Sequence, residues 1–279
     1  MKLGIFAKTF AGRAPETVLK AVAGAGFASA QYNMACSGLP SMPDAISGAE
    51  ARAVAAAAGT TGVEIAAVSG TYNMIHPDPA VREAGHRRLA VLAERCAAMS
   101  AGLITLCTGT RDPLDQWKAH PGNDTPEAWR DLLEATETAV GIAERYGVDL
   151  GIEPELANVV NSAEKARRLI DEMKSPRVKI VLDPANLFEV ETPEARRTIV
   201  ASAIDRLADR IVMAHAKDRN PDGSFATAGK GVLDYGHYLG RLKAIGFAGS
   251  LVTHGLAADE AAGVAAFLTR TLSDTGAGR

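Results

Sequence analysis

The sequence has few cysteines and no pattern that would pair them. Cys36, Cys96 and Cys107 are odd in number and widely spaced, and none belongs to a Cys-x-x-Cys pair. A disulfide framework and a thiolate zinc site are therefore not expected. Free thiols suit a reducing compartment, so the sequence predicts a cytoplasmic protein.

Long apolar runs and a surplus of basic residues are also missing. No stretch approaches the ~18 uninterrupted apolar residues of a membrane span. The first segment, MKLGIFAKTF, breaks at Lys8 without the longer apolar core of a signal peptide. The formal net charge is −3, whereas duplex-binding domains usually carry a basic face. We therefore expect neither a membrane nor a nucleic acid as partner.

Short apolar segments instead alternate with long helical segments through the whole chain. The 279 residues are enough for one (β/α)8 barrel, which typically needs about 250. The strands are predicted at Leu3–Ala7, Ser29–Tyr32, Glu64–Ser69, Leu103–Cys107, Leu150–Glu153, Lys179–Asp183, Ile211–His215 and Leu251–Thr253. Eight strand–helix alternations predict parallel pairing, and hence a single (β/α)8 TIM barrel over residues 1–279. A doubly wound open sheet is the alternative, but the first strand runs into AKTFAG and not into a GxGxxG turn.

Several helix ends carry local signals. Thr125 before Pro126 is typical of an N-cap followed by a first helical residue. Asn161 and Glu164 have the spacing of a capping box. Gly246 is expected to follow the end of a helix that begins near Asp234.

Ionisable residues stand at the ends of the fifth to eighth predicted strands. These ends read LGIEPE, IVLDPAN, IVMAHAKD and LVTHG. Because side chains alternate along a strand, Glu153 and Glu155 share one face, as do His215 and Lys217. Active sites of (β/α)8 barrels lie at these carboxyl ends, so we expect all four side chains near a substrate.

The same pattern predicts a metal site. Alone, each residue could be a cap partner, a turn residue or a packed histidine. Four ionisable groups at one height would repel or desolvate one another without a shared cation. A mixed oxygen and nitrogen set suits Mn²⁺, Co²⁺, Zn²⁺ or Fe²⁺, with Mg²⁺ as a further option. The predicted ligands are Glu153, Asp183, His215 and His254.

Loop residues supply further candidates for substrate contact. Asn73 and His76, after the third strand, could meet a hydroxyl or a carboxylate, although a loop-fixing Asn and a surface His fit equally well. Lys8 and Lys217 could bind an anionic group or polarise a carbonyl. Trp117 lies in the long loop after the fourth strand and could cover a sugar, or simply pack.

With these motifs the chain resembles the xylose-isomerase-like family of sugar isomerases and epimerases. That superfamily includes ketose 3-epimerases, hydroxypyruvate isomerase, inosose dehydratase and the apurinic-site nuclease endonuclease IV. The resemblance spans nearly the whole chain, through MKLGIFAKTF, SGTYNMIHPD, LGIEPE, LDPAN, HAKD, GKGVLDY and LVTHGL. The order and spacing are specific for the superfamily and not for a substrate.

The resemblance implies one divalent ion, most often Mn²⁺, held by a Glu, an Asp, a His and a final Glu. Glu153, Asp183 and His215 match the first three positions, but His254 stands where the family has the final Glu. In the epimerases that Glu is both a ligand and one of two carboxylates that move a proton. With His254 as fourth ligand the metal would be held by two carboxylates and two imidazoles, or more weakly, or not at all. His254 could then be the proton-transfer partner of Glu153, a role that suits an imidazole.

The leading hypothesis is an isomerase or epimerase of a sugar, sugar phosphate or keto-polyol that works through an enediolate. Glu153 would take a proton, and His254 or Glu155 would return it. A dehydratase or lyase of a related polyol or keto acid remains an alternative, as does a non-catalytic sugar-binding barrel. A metal-dependent DNA phosphodiesterase would need more histidines than the six present, of which His86 lies on a predicted exposed helix face. The family resemblance implies a homo-oligomer, either a dimer or a tetramer.

Overall fold

Eight parallel strands close into a barrel in the computed structural model, which describes residues 1–275 and so omits the last four residues of the predicted domain. Each strand pairs with its neighbours in sequence, and the first pairs with the last through Leu3 opposite Leu251. The strands are Lys2–Phe6, Ser29–Tyr32, Glu64–Ser69, Leu103–Cys107, Asp149–Glu153, Val178–Leu182, Ile211–Ala216 and Ser250–Thr253. The predicted barrel is confirmed, with strand ends within one residue of expectation.

A helix follows each strand and packs on the outside of the barrel. In chain order these helices, α1 to α8, are Pro15–Gly24, Gly48–Thr61, Pro79–Cys96, Pro126–Tyr146, Ala163–Met173, Pro193–Leu207, Tyr235–Ala244 and Ala261–Asp274. Over residues 1–275, no helix combines the length and the apolar character needed to cross a membrane.

Two of the helix N-caps predicted from the sequence can be compared with the structure. The Thr125 hydroxyl accepts a hydrogen bond from the backbone N–H of Ala128, so the predicted N-cap is confirmed. The capping box at Asn161 was wrong by one residue. Ser162 is the N-cap of α5, and its hydroxyl accepts from the backbone N–H of Lys165, three residues further along the chain, as an N-cap side chain does.

Two apolar layers hold the barrel together. The larger lies between the strands and the helices, and the smaller fills the barrel interior. The interior layer consists of Ala67, Leu103, Val181, Met213 and Val252. Because strand side chains alternate in direction, the residues two positions after Val181, Met213 and Val252 point to the same interior. This apolar floor therefore carries Asp183, His215 and His254 directly above it.

A buried carboxylate fixes the long loop after the seventh strand. Asp218 accepts hydrogen bonds from four backbone N–H groups between residues 219 and 233, at 2.9–3.2 Å. A Cβ on Gly231 would lie 2.1 Å from the carbonyl oxygen of Arg219, so only glycine fits there. A short antiparallel ladder, Asp218–Arg219 with Phe225–Ala226, completes the loop and brings Phe225 beside the barrel mouth.

Candidate metal centre and active site

The four predicted metal ligands lie together at the carboxyl end of the barrel. One donor atom from each of them is within 4.8 Å of the others. Glu153 ends the fifth strand and His215 lies near the end of the seventh, while Asp183 and His254 directly follow the sixth and eighth strands. Period-two alternation on neighbouring parallel strands is thus sufficient to assemble this cluster.

Short contacts link the members of the cluster. His215 Nδ1 lies 3.2 Å from Glu153 Oε1 and 3.8 Å from Asp183 Oδ2. His254 Nε2 lies 3.1 Å from Asp183 Oδ2, and the two imidazole rings are 4.5 Å apart between centroids. Each carboxylate therefore faces at least one imidazole nitrogen.

Gln31, on the second strand, orients the His215 ring. Its Oε1 lies 2.9 Å from His215 Nε2, and its Nε2 donates to Thr105 Oγ1 at 3.1 Å. With Gln31 Oε1 as the acceptor, Nε2 of His215 is the donor to Gln31 and Nδ1 faces the carboxylates. Sequence reasoning missed Gln31, although a polar residue on the inward face of an apolar strand was a signal available for it.

Lys217 brings a positive charge into the same cluster. Its ammonium donates to Asn186 Oδ1 at 2.8 Å and lies 3.4 Å from Asp183 Oδ2. The amide of Asn186 in turn donates to Glu153 Oε1 at 2.9 Å. The Lys217 Nζ also sits 3.6 Å from the centroid of the Phe225 ring. This cation–π contact and the two polar contacts hold the buried ammonium in one place.

Helix α7 fixes the seventh strand from outside the barrel. The Tyr238 hydroxyl donates to the carbonyl oxygen of His215, and the Tyr235 hydroxyl donates to that of Lys217, both at 3.0 Å. The backbone of His215 and Lys217 is therefore anchored by side chains that lie 23 and 18 residues further along the chain, respectively.

Burial and charge act in opposite directions on the two carboxylates. Burial opposes ionisation of Asp183, but the Lys217 charge and hydrogen bonds from both histidines outweigh it, so the pKa of Asp183 falls well below its usual value. Burial likewise opposes ionisation of Glu153, and the charge and hydrogen bond of His215 lower its pKa in spite of that. Both groups are therefore carboxylates at neutral pH.

The two histidines differ in charge preference. Burial works against a charged His215, yet Glu153 and Asp183 together raise its pKa to about 9. Burial and the positive charge of His215 lower the pKa of His254, which leaves it a neutral donor. Glu155 lies nearby, and its burial, followed by repulsion from Glu153, raises its pKa to about 7. At neutral pH the cluster therefore combines two carboxylates, an imidazolium and a neutral imidazole, beside a Glu155 carboxyl group that titrates near neutrality.

A cavity of about 480 Å³ opens above the cluster. The three further residues predicted there, Lys8, Glu155 and Lys217, all line it, with Lys8 exposed. Trp117 from the loop after the fourth strand also lines this cavity, as does Phe225. The bottom of the cavity is thus lined by charged side chains, and two aromatic side chains line its mouth.

Asn73 and His76 lie outside this cavity. The Asn73 side chain donates to the carbonyl oxygen of Thr110 at 2.8 Å and accepts from the Thr110 N–H at 3.0 Å, so it fixes the loop after the fourth strand. His76 Nε2 lies 3.2 Å from the carbonyl oxygen of Pro113 in the same loop. Both side chains line an adjoining cavity instead.

The donor set fits a divalent ion. Ligand distances of ~2.0–2.2 Å put donors on opposite sides of one ion at about 4.4 Å. The four donors lie within 4.8 Å of one another, so small side-chain rotations bring them to one ion. Two carboxylates and two imidazoles match Mn²⁺, Co²⁺, Zn²⁺ or Fe²⁺. Because the Gln31 contact holds Nε2 of His215, its Nδ1 is the nitrogen that would bind an ion.

The protein is therefore a (β/α)8 barrel that carries a cluster of potential metal ligands at the carboxyl ends of its strands. Its family follows from the sequence as well, because the model of the xylose isomerase-like TIM barrel family matches residues 19–269. The chain belongs to this family.

Similar solved structures share the barrel over almost their full length. An L-ribulose 3-epimerase has a TM-score of 0.78 at 18% identity, covering 99% of this chain and 95% of its own. The 3-keto-D-glucoside 4-epimerase from E. coli has a TM-score of 0.76 at 18% identity, covering 97% and 99%. The D-psicose 3-epimerase from Clostridium cellulolyticum has a TM-score of 0.73 at 18% identity, covering 98% and 99%. At such identities the likeness concerns the fold.

Proposed function

We propose that this protein is a metal-dependent isomerase or epimerase of a sugar or keto-polyol. The observation that carries the proposal is the cluster of Glu153, Asp183, His215 and His254 at the base of the 480 Å³ cavity. Several of the similar solved structures are sugar epimerases, which supports the same class of reaction. A small carbohydrate is the substrate class that this combination suits.

The four clustered side chains would hold the metal, with Mn²⁺ the first candidate and Mg²⁺, Co²⁺ and Zn²⁺ the alternatives. When bound, a divalent ion polarises a substrate carbonyl and makes the proton on the neighbouring carbon more acidic. Gln31 keeps the His215 ring in the orientation that this binding needs.

Glu153 is proposed as the base that removes this proton. Its Oε1 is held by the Asn186 amide and by His215, which fixes the carboxylate relative to the cavity. Its lowered pKa keeps it ionised and ready to accept a proton. A general base needs this combination of fixed geometry and a free lone pair.

His254 and Glu155 are the groups proposed to return the proton. His254 directly follows the eighth strand, lies 3.1 Å from Asp183 through its Nε2, and has a lowered pKa. Glu155 lines the cavity and has a pKa of about 7, which suits a group that gives and takes protons near neutrality. Return to the opposite face of the same carbon gives epimerisation, and return to the neighbouring carbon gives isomerisation.

Lys217, Lys8 and Trp117 complete the proposed substrate site. The Lys217 ammonium, held by Asn186 and Phe225, can donate to a substrate oxygen beside the cluster. Lys8 and Trp117 lie at the rim, where they would contact the rest of the substrate and limit the entry of water. Exclusion of water protects a carbanion-like intermediate from side reactions.

Exchange of substrate hydrogen with solvent tests the proposal. The protein would be loaded with Mn²⁺ and incubated in D₂O with D-fructose, D-psicose, D-tagatose and L-ribulose, and NMR would follow deuterium at the carbon next to the carbonyl. We expect one metal ion per chain and exchange that falls at least 100-fold in Glu153→Gln. The matched control Glu64→Gln changes an exposed carboxylate at the start of the third strand and should exchange normally.

The alternatives give different outcomes in the same experiment. A protein without metal and without exchange would be a non-catalytic barrel. Exchange that is unaffected by Glu153→Gln would remove this residue from the reaction. A metal content near three per chain would favour the phosphodiesterase alternative.

A further inference from the structure

A second cavity of about 520 Å³ adjoins the one above the metal ligands. Thr71, Gln116 and Trp117 line both cavities. The loop after the second strand also spans them, because Ser41 lines the first and Met42 the second. The two cavities are therefore neighbouring parts of one groove, with the Trp117 side chain at their boundary.

The second cavity offers apolar surfaces beside hydrogen-bonding groups. Tyr72, Val81 and Leu114 provide the apolar part, while Asn73 and His76 lie among them. A sugar ring has the complementary character, since its C–H faces are apolar and its rim carries hydroxyl groups. Ligand sites commonly combine an apolar wall with a few placed polar groups in this way.

The charges around the second cavity disfavour an anionic ligand. Arg88 is already paired with Asp44, since its Nε donates to Asp44 Oδ1 at 2.7 Å. Asp112 lies 3.2 Å from the ammonium of Lys118. Asp115 adds a further negative charge to the lining. A phosphate or carboxylate would therefore meet no available cation among the lining residues described, and a neutral ligand fits better.

We infer that the second cavity binds the second ring of a neutral disaccharide or glycoside, while the reacting ring occupies the first. This inference rests on the proposed function, because it places the reacting ring above the metal ligands. Each cavity lies within the range of about 300–1,000 Å³ that is typical of ligand sites, so one sugar ring leaves the second cavity unfilled.

Trp117 is the residue that would contact both rings. Its side chain is 52% exposed, although a large aromatic surface favours burial. Its backbone N–H donates to Asp115 Oδ1 at 2.9 Å, which fixes the turn that presents the indole between the cavities. Stacking of a sugar ring on this indole would cover apolar surface that the folded chain leaves open.

Calorimetric titration with disaccharides tests the inference. Maltose, cellobiose, lactose and sucrose would each be titrated into the metal-loaded protein, with D-glucose, D-galactose and D-fructose as the single-ring references. We expect at least one disaccharide to bind with a Kd tenfold or more below those of its component rings. If none of the four does so, the inference is overturned.

Filling the second cavity should remove the tighter binding of the disaccharide. Val81 lines only the second cavity and is 42% exposed on the first turn of α3, so Val81→Trp can be accommodated by the fold and should obstruct the site. The Kd of the preferred disaccharide should rise tenfold, whereas those of the single rings change less than twofold. Val190→Trp is the matched control, because Val190 is 63% exposed and lines neither cavity.

A second variant guards against misfolding. Leu114 is 95% exposed, so Leu114→Ala cannot disturb the core, and it should weaken disaccharide binding about threefold without affecting single rings. Equal weakening of both ligand types in Val81→Trp and Leu114→Ala would overturn the inference.

The binding test of the second-ring site can succeed or fail independently of the exchange test of the proposed reaction. A Val81-dependent preference for disaccharides without hydrogen exchange would support the second-ring site and reject the reaction. Exchange on free ketoses without any such preference would support the reaction and reject the second-ring site.

Discussion

The ammonium of Lys217 lies 3.4 Å from Asp183 Oδ2, within the group of side chains proposed to hold the metal. A fixed cation and a divalent ion would therefore share one buried carboxylate. His254 adds no negative charge, so the four proposed ligands include only two carboxylates to balance both cations. We expect Lys217 to weaken metal binding.

Removal of the ammonium should strengthen metal binding. In Lys217→Met the side chain keeps much of its length, and the repulsion between Nζ and the metal is lost. Two unit charges about 4 Å apart interact by ~4 kcal/mol at an effective dielectric constant of 20, so a tenfold fall in the Kd for Mn²⁺, ~1.4 kcal/mol, is a modest expectation. Electron paramagnetic resonance of free Mn²⁺ would measure it. Lys217→Arg keeps the charge and should leave the Kd within a few-fold; weaker binding by Lys217→Met would contradict the prediction.

Gln31→Leu, in contrast, should weaken metal binding. The variant removes the acceptor 2.9 Å from His215 Nε2, so the ring can rotate and its N–H loses a buried partner. Loss of such an outer partner typically weakens metal binding 10–100-fold. The same Mn²⁺ titration checks it. Gln116→Leu, which changes a Gln that lines the cavity mouth, is the control, and equal losses in both variants would argue against an orienting role for Gln31.

The contrast between these two residues shows what sequence could predict. Lys217 stands two positions after His215, so alternation along one strand was enough to place both on the same face. Gln31 is 184 residues away from His215, and their contact depends on the closure of the barrel. Local periodicity carries no information about which distant strand contributes the opposing side chain.

Loop side chains were harder to predict for a different reason. Asn73 has the right residue type for a substrate contact, but its amide is already used by the backbone of Thr110. The cap of α5 at Ser162, in place of Asn161, reflects a choice between two adjacent residues that can both cap a helix. In both cases several partners satisfy the same local chemistry, and only the folded chain selects one.

His86 should make stability depend on pH below neutrality. The sequence predicted an exposed His86, but the structure half-buries it on α3, edge-on to Tyr72 with ring centroids 5.7 Å apart. Burial lowers its pKa and the nearby Arg82 adds to this, although a backbone contact at Ala135 partly opposes it. The unfolded chain therefore takes up this proton first. As pH falls through about 6.5, stability should decrease until the lower folded pKa is passed.

Urea denaturation at several pH values between 5 and 8 would measure this effect. The variant His86→Gln lacks the titrating group, so its free energy of unfolding should decline less steeply than that of the wild type over the same range. A decline as steep as that of the wild type would assign the pH dependence to other residues.

Gly151 should be required for the apolar floor beneath the proposed metal ligands. A Cβ at this position would lie 2.7 Å from Val181 Cγ2 and 3.2 Å from Leu103 Cδ1, so Gly151→Ala must displace these packed side chains or the strands that carry them. Overpacking of this kind costs ~1–3 kcal/mol. Gly141 is the matched control, because it lies on α4 and a Cβ added there would have no atom within 4 Å apart from its chain neighbours and the backbone of its own helix. Gly141→Ala should stabilise the protein by up to ~1 kcal/mol.

Thermal unfolding and Mn²⁺ titration of the two variants would separate packing from a general effect of the substitution. A change of 1 kcal/mol corresponds to ~2–4 °C in Tm for chains of roughly this size. Gly151→Ala should lower Tm and also weaken Mn²⁺ binding, because Glu153 and Asp183 stand directly above the disturbed contact. Gly141→Ala should raise Tm and leave Mn²⁺ binding as it is. If Gly151→Ala lowers Tm with no change in metal affinity, the floor supports the barrel but does not set the spacing of the two carboxylates.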